Sequence, residues 1–549
     1  MNNVQVTQIR TARPPLYTWL PLVIAVAVLF DRVLDLLFRC QHDALGHFIY
    51  PLDDSYIQMA IARNFAQHGV WGVTRHAFGP ASSSPLWTIL LAIGFKLGGV
   101  KELLPLIMSA VAGVLVLIAV DWIARRERLA VWANAVLLLL VAVGAPLTML
   151  AVTGMEHNLQ ILLDVLFVYG VATIACEEGR AKKSHIVALL ILAALVCAVR
   201  YEGLFLIAAA ALALGLRRRA GMAALIVGAG LLPVMIFAVA SVQHGGMWLP
   251  NSVLVKGQRP DFNDLSRTVD TLGRGALDKL ISHPPLFSLL LMSLAALLFW
   301  NPPAKDDAPA TNVGQTMLFI CVLTALAHLQ FAAVGIDFRY EAYLIVLLLV
   351  SLAVAFARDR FGLRLSLHRK GALRVGLALI TVIIASTPVI RRAQDALNLT
   401  PLATQNIFQQ QIQVAHFLHR YYDTDNVALN DIGAADFFTD IHLTDVWGLD
   451  SSEVARHVLH RDWNTQALAE IARRNKVRIA IVYQPWLDFL GGVPEQWIEV
   501  GTWQIANNFI CGGDTVTFYA VDPSEAPQLR AHLKEFNSEV SRYAKTRIH

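Results

Sequence analysis

Charge is scarce in this sequence. Asp, Glu, Lys and Arg together make up 16% of its 549 residues, well below the roughly one quarter usual in soluble domains, and that shortage excludes an ordinary soluble enzyme. Cysteine is rare too. Cys40, Cys176, Cys197, Cys321 and Cys511 show no metal-ligand spacing and no paired pattern, so neither a zinc motif nor a disulfide framework is expected. There is no basic tail, and the formal net charge of +4 is spread over short clusters that report membrane orientation. Nucleic acid is therefore not an expected partner. No small-residue cleavage site follows the first apolar run, about Thr18 to Phe38, which reads as a retained anchor.

What is abundant is hydrophobic. It amounts to 56% of the chain, gathered in runs near bilayer-spanning length. Helices are expected at roughly 18–38, 86–99, 103–123, 130–150, 157–175, 184–199, 201–216, 221–242, 283–300, 314–334, 340–357 and 371–390. From about Arg391 the pattern changes to polar helical stretches, Thr404 to Arg420 and Trp463 to Lys476. These are interleaved with β-rich runs such as Val477 to Tyr483 and Thr515 to Val521. The expected organisation is a membrane module over 1–390, with a first external loop at 39–84, and a soluble α/β domain over 391–549.

Orientation follows from the basic loops, which stay cytoplasmic. They are Arg10 with Arg13, Arg125–Arg128, Arg180–Lys183, Arg217–Arg219 and Arg358–Lys370. All face one side only if residues 86–123 make a single crossing. Pro85 to Gly98, at about 14 residues, is short for a span and reads as re-entrant or interfacial. The fold class expected is thus a polytopic α-helical membrane protein with about 11 crossings, and the odd count puts the C-terminal α/β domain outside the cytoplasm. The same bookkeeping gathers the chemically richest stretches at the external face: the first loop, Thr153–Asn158, Val199–Gly203, Met247–Arg259 and Gly335–Glu341.

In the first loop, YPLDDSYIQMAIARNF (Tyr50–Phe65) sets Asp53 and Asp54 at the start of an amphipathic helix, with Ile57, Ile61 and Phe65 on one face. Two readings stand side by side. Either Asp54 or Ser55 caps the helix and Asp53 is solvated, or one carboxylate orients the loop while the other meets a substrate.

These residues, with ASSSPLW (Ala81–Trp87), resemble the first external loop of GT-C glycosyltransferases. More narrowly, they resemble the bacterial group that includes the mycobacterial terminal arabinofuranosyltransferases. TGMEHNLQ, VRYEGL, LPNSVLVK and the later LNDIGAADFFTDIHLTDVWGLDS (Leu429–Ser451) resemble further motifs of that group, in the same order. Tyr201 stands where the group usually has proline. The resemblance implies sugar transfer from a polyprenyl-phosphate donor to a glycan, lipid or protein acceptor of the envelope, at the outer face of a bacterial inner membrane. It also implies a first-loop carboxylate, Asp54 or Asp53, at the reacting centre.

A carboxylate suits deprotonation of an acceptor hydroxyl, and a departing lipid phosphate needs cations. Arg200, Lys256 and Arg339 are the candidates by position, each set against the plainer reading of a side chain that snorkels to headgroups. Tyr56, Glu156, His157, Tyr201, Glu202 and Asn251 are candidate substrate contacts. Asp431 is read first as a turn residue and second as one that positions the soluble domain against the acceptor; Trp447 is read first as a core residue, and with Asp445 and Gly448 it also fits a domain that shapes an acceptor groove. A divalent cation is open, since Asp53, Asp54 and Glu156 form a site only if folding joins them. The competing class is a transporter or flippase, for which Asp164 and His328 inside apolar runs speak, although no internal repeat accompanies them. A non-catalytic envelope scaffold is the third reading.

Overall fold

A computed structural model gives the architecture, and the structure describes residues 16–177, 179, 181–257, 275–299, 308–357, 369–488 and 490–549. Arg10, Arg13, Arg180, Arg259 and most of the basic stretch 358–370 lie outside the described residues. The membrane module is built from α1 Leu20–Asp43, α2 Asp53–His68, α3 Pro85–Gly98, α4 Leu104–Arg126, α5 Val131–Leu139, α6 Leu147–Val152, α7 His157–Cys176 and α8 Lys183–Val199. It continues through α9 Gly203–Leu216, α10 Ala220–Gln243, α11 Asn251–Lys256, α12 Gly275–Ser282, α13 Pro284–Phe299, α14 Ala308–Phe331 and α15 Ala342–Ala357. The expected run at about 130–150 divides, because Pro146 cannot continue the helix: α5 ends in a π turn, Leu140–Gly144, before α6 begins.

Four helices among the described residues are long and apolar enough to cross a membrane: Leu104–Arg126, His157–Cys176, Ala220–Gln243 and Val313–Phe331. A fifth is added if α12 and α13, bent by 104° at their junction, count as one span. The remaining apolar helices, among them Pro85–Gly98, Lys183–Val199, Gly203–Leu216 and Ala342–Phe356, are shorter. Burial sorts the bundle into an inside and an outside. α7 is sequestered around Phe167, Val168 and Val171, whereas α10 leaves Leu232 and Ile236 57% and 62% exposed, as a helix facing lipid would.

α16, Arg369–Ile407, then carries the chain past residue 390 without a break and leads through a π turn at Phe408–Ile412 into α17, Gln413–Tyr421. The C-terminal region is a six-stranded mixed sheet of β1 Asn426–Leu429, β2 His442–Asp445, β3 Ile479–Val482, β4 Ile498–Gln504, β5 Thr515–Ala520 and β6 Lys545–Ile548, in the order β2-β1-β3-β5-β4-β6. β1 pairs parallel with β2 and β3, and the other pairings are antiparallel. The continuous apolar run of β3, IAIV, is what a strand buried on both faces requires. Loops leaving the carboxyl ends of the three parallel strands carry Asp431, Leu449–Asp450 and Tyr483. This is the end of an α/β sheet where ligand sites usually form.

That end is seated on the first loop. Arg63 of α2 donates to the Phe437 and Asp436 carbonyls (2.6 and 3.2 Å), and Asn251 Nδ2 donates to the Asp450 carbonyl (3.2 Å). The Val73 N–H donates to the Asp450 carboxylate (3.4 Å).

Candidate active site

The carboxylates in question open α2, and neither caps it. Leu52 occupies the N-cap in an extended conformation with no side-chain cap hydrogen bond, while the Ser55 hydroxyl donates to the Thr153 carbonyl at 2.6 Å. Asp53 and Asp54 sit in the first turn, where the helix dipole favours anions, and Gly69 at φ +70° stops the helix at its other end.

Adjacent helical residues project about 100° apart, and the two carboxylates meet different partners. Asp53 accepts the Gly433 and Ala434 N–H groups of the C-terminal domain, through Oδ2 at 2.6 Å and Oδ1 at 2.7 Å. Glycine is needed at 433, since a Cβ there would overlap the Asp53 carbonyl oxygen. Asp54 turns the other way. Its Oδ2 accepts from Arg339 Nη2 at 2.6 Å, and Lys256 Nζ lies 3.6 Å from Oδ1.

Electrostatics separates them further. Burial works to raise the Asp54 carboxyl, yet Lys256 and Arg339 together hold it well below the usual carboxylate range. Asp53 lies well above that range, through burial first and the nearby charge of Asp431 second. Asp431 is pushed up to about 6, mainly by burial, with the Asp54 charge adding to it.

Arg339 is held on several sides. Its Nη1 donates to the Met155 sulfur at 2.8 Å, Asp337 stands 3.7 Å from Nη2, and Cζ lies 5.1 Å from the centre of the Tyr340 ring. Arg200 approaches the same ring, also at 5.1 Å. Its fork is already engaged: Nη1 donates to Glu156 (2.6 Å), and Nε and Nη2 donate to the two oxygens of Glu202 (3.1 and 2.7 Å). One buried guanidinium therefore serves two carboxylates, a geometry that fixes the loop between α8 and α9.

These groups border a cavity of about 300 Å³. Its polar end holds Asp54, Lys256, Arg339, Arg200, Glu202 and Tyr340, and its apolar wall includes Leu204, Phe205, Val253, Leu254 and Phe331. A charged end joined to a greasy wall is the shape an amphipathic ligand with an anionic head requires.

Of the residues singled out in the sequence, Asp54, Arg200, Tyr201, Glu202, Lys256 and Arg339 line this cavity together. The structure sets the others around it. Glu156 lies behind Arg200, and His157 is buried with its ring 6.4 Å from that of Tyr340. Tyr56 is buried against Tyr50, Phe437 and Phe438, where its hydroxyl accepts the Tyr50 N–H, and Asn251 ties α11 to the C-terminal domain. Asp445 organises its own loop, accepting the N–H groups of Trp447, Gly448, Asp450 and Ser451; Leu449 from that loop reaches the cavity wall. Trp447 packs against Trp486 at 4.5 Å. His328 pairs with the Tyr343 hydroxyl at 3.0 Å, and Asp164 is buried within α7.

Tyr340, Met155 and Asp337 were not singled out in the sequence. The signal for Tyr340 was its place beside Arg339 in GIDFRYE, although sequence adjacency alone could not show that Arg200 shares its ring. For a divalent cation the donor set fits poorly: both Asp53 oxygens accept backbone N–H groups, and both Asp54 oxygens face cations. Among the described residues no group of three His, Cys, Asp or Glu side chains is arranged to hold a metal.

Fold and cavity together define a helical membrane-type module, capped by a sheet domain, with Asp54, Arg339 and Lys256 lining a cavity that also has apolar walls. Solved structures of the same build exist. ArnT from Cupriavidus metallidurans bound to undecaprenyl phosphate superposes with a TM-score of 0.50 at 14% identity, covering 93% of this chain and 99% of that one. The apo state of the same protein gives 0.50 at 14%, with 92% and 98% covered. The arabinofuranosyltransferase AftD from mycobacteria gives 0.43 at 13%, over 92% of this chain and 41% of that one. The chain thus shares the fold of ArnT. A family model described as "Domain of unknown function (DUF8728)" matches residues 405–519, and no curated protein matches the sequence.

Proposed function

We propose that this protein is a GT-C glycosyltransferase that moves a sugar from a polyprenyl-phosphate-linked donor to an acceptor hydroxyl, with Asp54 as the base. One observation carries the reading: Asp54 stands between Arg339 and Lys256 at the polar end of a cavity whose other wall is apolar. The fold likeness to ArnT with undecaprenyl phosphate bound supports a lipid phosphate in that cleft. The donor's phosphate would meet Arg339 and Lys256, and its chain would follow Leu204, Phe205 and Phe331.

In the transfer, the acceptor oxygen attacks the anomeric carbon and the carbon–oxygen bond to phosphate breaks. The electron pair leaves on the phosphate oxygen and the hydroxyl proton passes to Asp54. The cations stabilise the charge that grows on the leaving phosphate. Arg339 offers two N–H groups in one plane, whereas Lys256 acts as a point charge. Arg200, already paired with two carboxylates, keeps the wall in place. This division refines an equal assignment of the three cations.

The finer topology belongs to the same reading: about 11 crossings of a bacterial inner membrane, with the first loop and the C-terminal domain outside the cytoplasm. The acceptor is an envelope glycan, lipid or protein, and the narrower kinship with terminal arabinofuranosyltransferases rests on the motifs alone. The test is transfer from a panel of radiolabelled polyprenyl-phosphate sugars by membranes carrying the wild type or Asp54→Asn. Loss of transfer in the variant, with donor still bound, is expected. Transfer that survives in Asp54→Asn would remove the proposed base, and an epitope tag at residues 69–80 found in the cytoplasm would overturn the orientation.

A further inference from the structure

A second cavity lies at the other end of the helix bundle. Glu156 and His157 of the candidate active site stand where α7 begins, whereas this crevice, of about 680 Å³, takes its wall from the last turns of the same helix, Leu166 to Glu177. At about 1.5 Å per residue, the 20 residues of α7 extend roughly 30 Å, the thickness of a bilayer's hydrocarbon core. The two cavities therefore address opposite faces of the membrane. α4 also ends at the crevice, at Arg126, and α8 begins beside it at Lys183. The depth of the crevice is apolar, with Leu166, Ile174, Leu189 and Leu192. Ala188 on its wall is exposed, and Val187 and Ile191 next to it on α8 are each 55% exposed, as lipid-facing positions would be. Trp122 edges the mouth, with the Arg126 guanidinium 5.6 Å from the centre of its ring and the Tyr169 ring edge-on at 5.4 Å. An exposed tryptophan under an arginine is the pairing expected at the headgroup level.

The polar lining carries both signs of charge. Arg126 is exposed, while Glu127 beside it is buried on the wall, where its Oε1 accepts the Tyr169 hydroxyl at 2.7 Å. Glu177 and His185 complete the mouth, and Arg219 donates to the Glu177 carbonyl, fixing the chain where α7 stops. A purely anionic headgroup would meet two carboxylates there, and a purely cationic one would meet Arg126. A headgroup that carries a phosphate and an ammonium answers both. We propose that this crevice binds a zwitterionic glycerophospholipid with a primary-ammonium headgroup, of the phosphatidylethanolamine class, in the leaflet opposite the active site. Arg126 takes the phosphate, Glu127 and Glu177 take the ammonium, and an acyl chain follows Leu166, Leu189 and Leu192. A primary ammonium is required because its N–H groups can donate to a carboxylate, which a quaternary ammonium cannot do. This site needs the helical module to lie in a bilayer and does not depend on sugar transfer or on Asp54. A lipid seated there joins α4 to α8 across the end of α7 and so stabilises the module.

The test uses the purified full chain in detergent, as wild type, Arg126→Gln, Glu177→Gln and Ala188→Trp. Each is titrated with phosphatidylethanolamine, phosphatidylcholine, phosphatidylglycerol or a polyprenyl phosphate, and bound lipid is read by native mass spectrometry and by the shift in Tm. The wild type should hold phosphatidylethanolamine about tenfold more tightly than the other two phospholipids, the worth of roughly one charge-assisted hydrogen bond, and its Tm should rise as that lipid binds. Arg126→Gln should weaken phosphatidylethanolamine by about tenfold for the same reason, and Glu177→Gln should narrow its lead over phosphatidylglycerol. Ala188→Trp fills the crevice from an exposed position, so its Tm without lipid should stay near that of the wild type while the lipid-dependent rise disappears. Equal retention of phosphatidylethanolamine and phosphatidylcholine, or tighter retention of phosphatidylglycerol, would overturn the headgroup assignment. Binding that is unaltered in both Arg126→Gln and Ala188→Trp would place the lipid elsewhere and overturn the site, as would displacement of phosphatidylethanolamine by an equal amount of polyprenyl phosphate. Since no step of the test measures sugar transfer, its failure leaves the role of Asp54 standing, and the loss of that role leaves the lipid site standing.

Discussion

The contact between Arg339 and Asp54 makes the sharpest prediction. Arg339→Gln keeps most of the side-chain length and a donor for Met155 while removing the charge 2.6 Å from Asp54. Two unit charges about 4 Å apart at an effective dielectric near 20 interact by roughly 4 kcal/mol. A quarter of the Asp54 side chain is exposed (26%) and Lys256 remains at 3.6 Å, so about a third of that interaction is a reasonable share, or ~1.4 kcal/mol and about one pH unit. The sign follows from Asp54 being held low: its basic form is present above its pKa and disappears as pH falls through it. Removing Arg339 raises that pKa, and the acid limb of kcat/KM for sugar transfer should move up by about one pH unit. The rate at the plateau should fall about 10- to 100-fold for the lost stabilisation of the leaving phosphate. The assay is transfer from the active polyprenyl-phosphate sugar, followed between acid and neutral pH. An acid limb that stays in place, or moves down, while the rate falls would refute Asp54 as the base, because the two effects share one contact.

Other contacts set expectations of their own. Arg200→Gln strands the buried Glu156 and Glu202 and should cost about 3–5 kcal/mol of stability, read as a lowered Tm; the triple variant with Glu156→Gln and Glu202→Gln should recover most of it, and a neutral single variant would return Arg200 to the phosphate-binding candidates. Gly433→Ala forces a methyl group against the Asp53 carbonyl and should release the C-terminal domain from α2, seen as faster proteolysis of the 430–440 loop together with reduced transfer. Asp450, half-buried near Asp445, is pushed up to about 7 and accepts the Val73 N–H. Because its pKa is raised, the stability it contributes is present in acid and is lost as pH rises through about 7, so the Tm should decline over that interval in the wild type and stay more nearly level in Asp450→Asn.

How far the sequence foretold this can be judged from individual segments. Helices set by long apolar runs were legible: α4, α7, α8 and α10 begin and end within about three residues of their expected limits. The gathering of Asp54, Arg200, Glu202, Lys256 and Arg339 in one cavity was also legible, because counting basic loops assigned the four stretches that carry them to one face. What stayed hidden depends on angles and on contacts between distant segments. Pro284 and Pro285 mark a break between α12 and α13, but no sequence pattern gives the 104° angle between them. Nor could spacing show that Arg200 would be taken up by Glu156, 44 positions away, as well as by its neighbour Glu202. Asp431 read as a turn residue for the same reason: its partners, Gln411 and Tyr483, come from two separate parts of the chain.

The pair Asp53 and Asp54 has a physical logic that neither residue has alone. A base that must stay near two cations is weakened by them, and a flexible base would simply fold onto them and lose its aim. Helical geometry offers a remedy, because consecutive residues point about 100° apart. One carboxylate can therefore be anchored while its neighbour is presented, with the backbone between them acting as a rigid lever. Here the anchor is tied to the Gly433–Ala434 backbone of another domain and the presented group faces Arg339. The position of Asp54 is thereby set by a surface that the cations do not control, so in the proposed reaction a donor phosphate would draw Arg339 and Lys256 away without carrying Asp54 along. Capping the helix with either carboxylate would have removed this separation, and it is Leu52, with no side-chain cap at all, that stands at the N-cap.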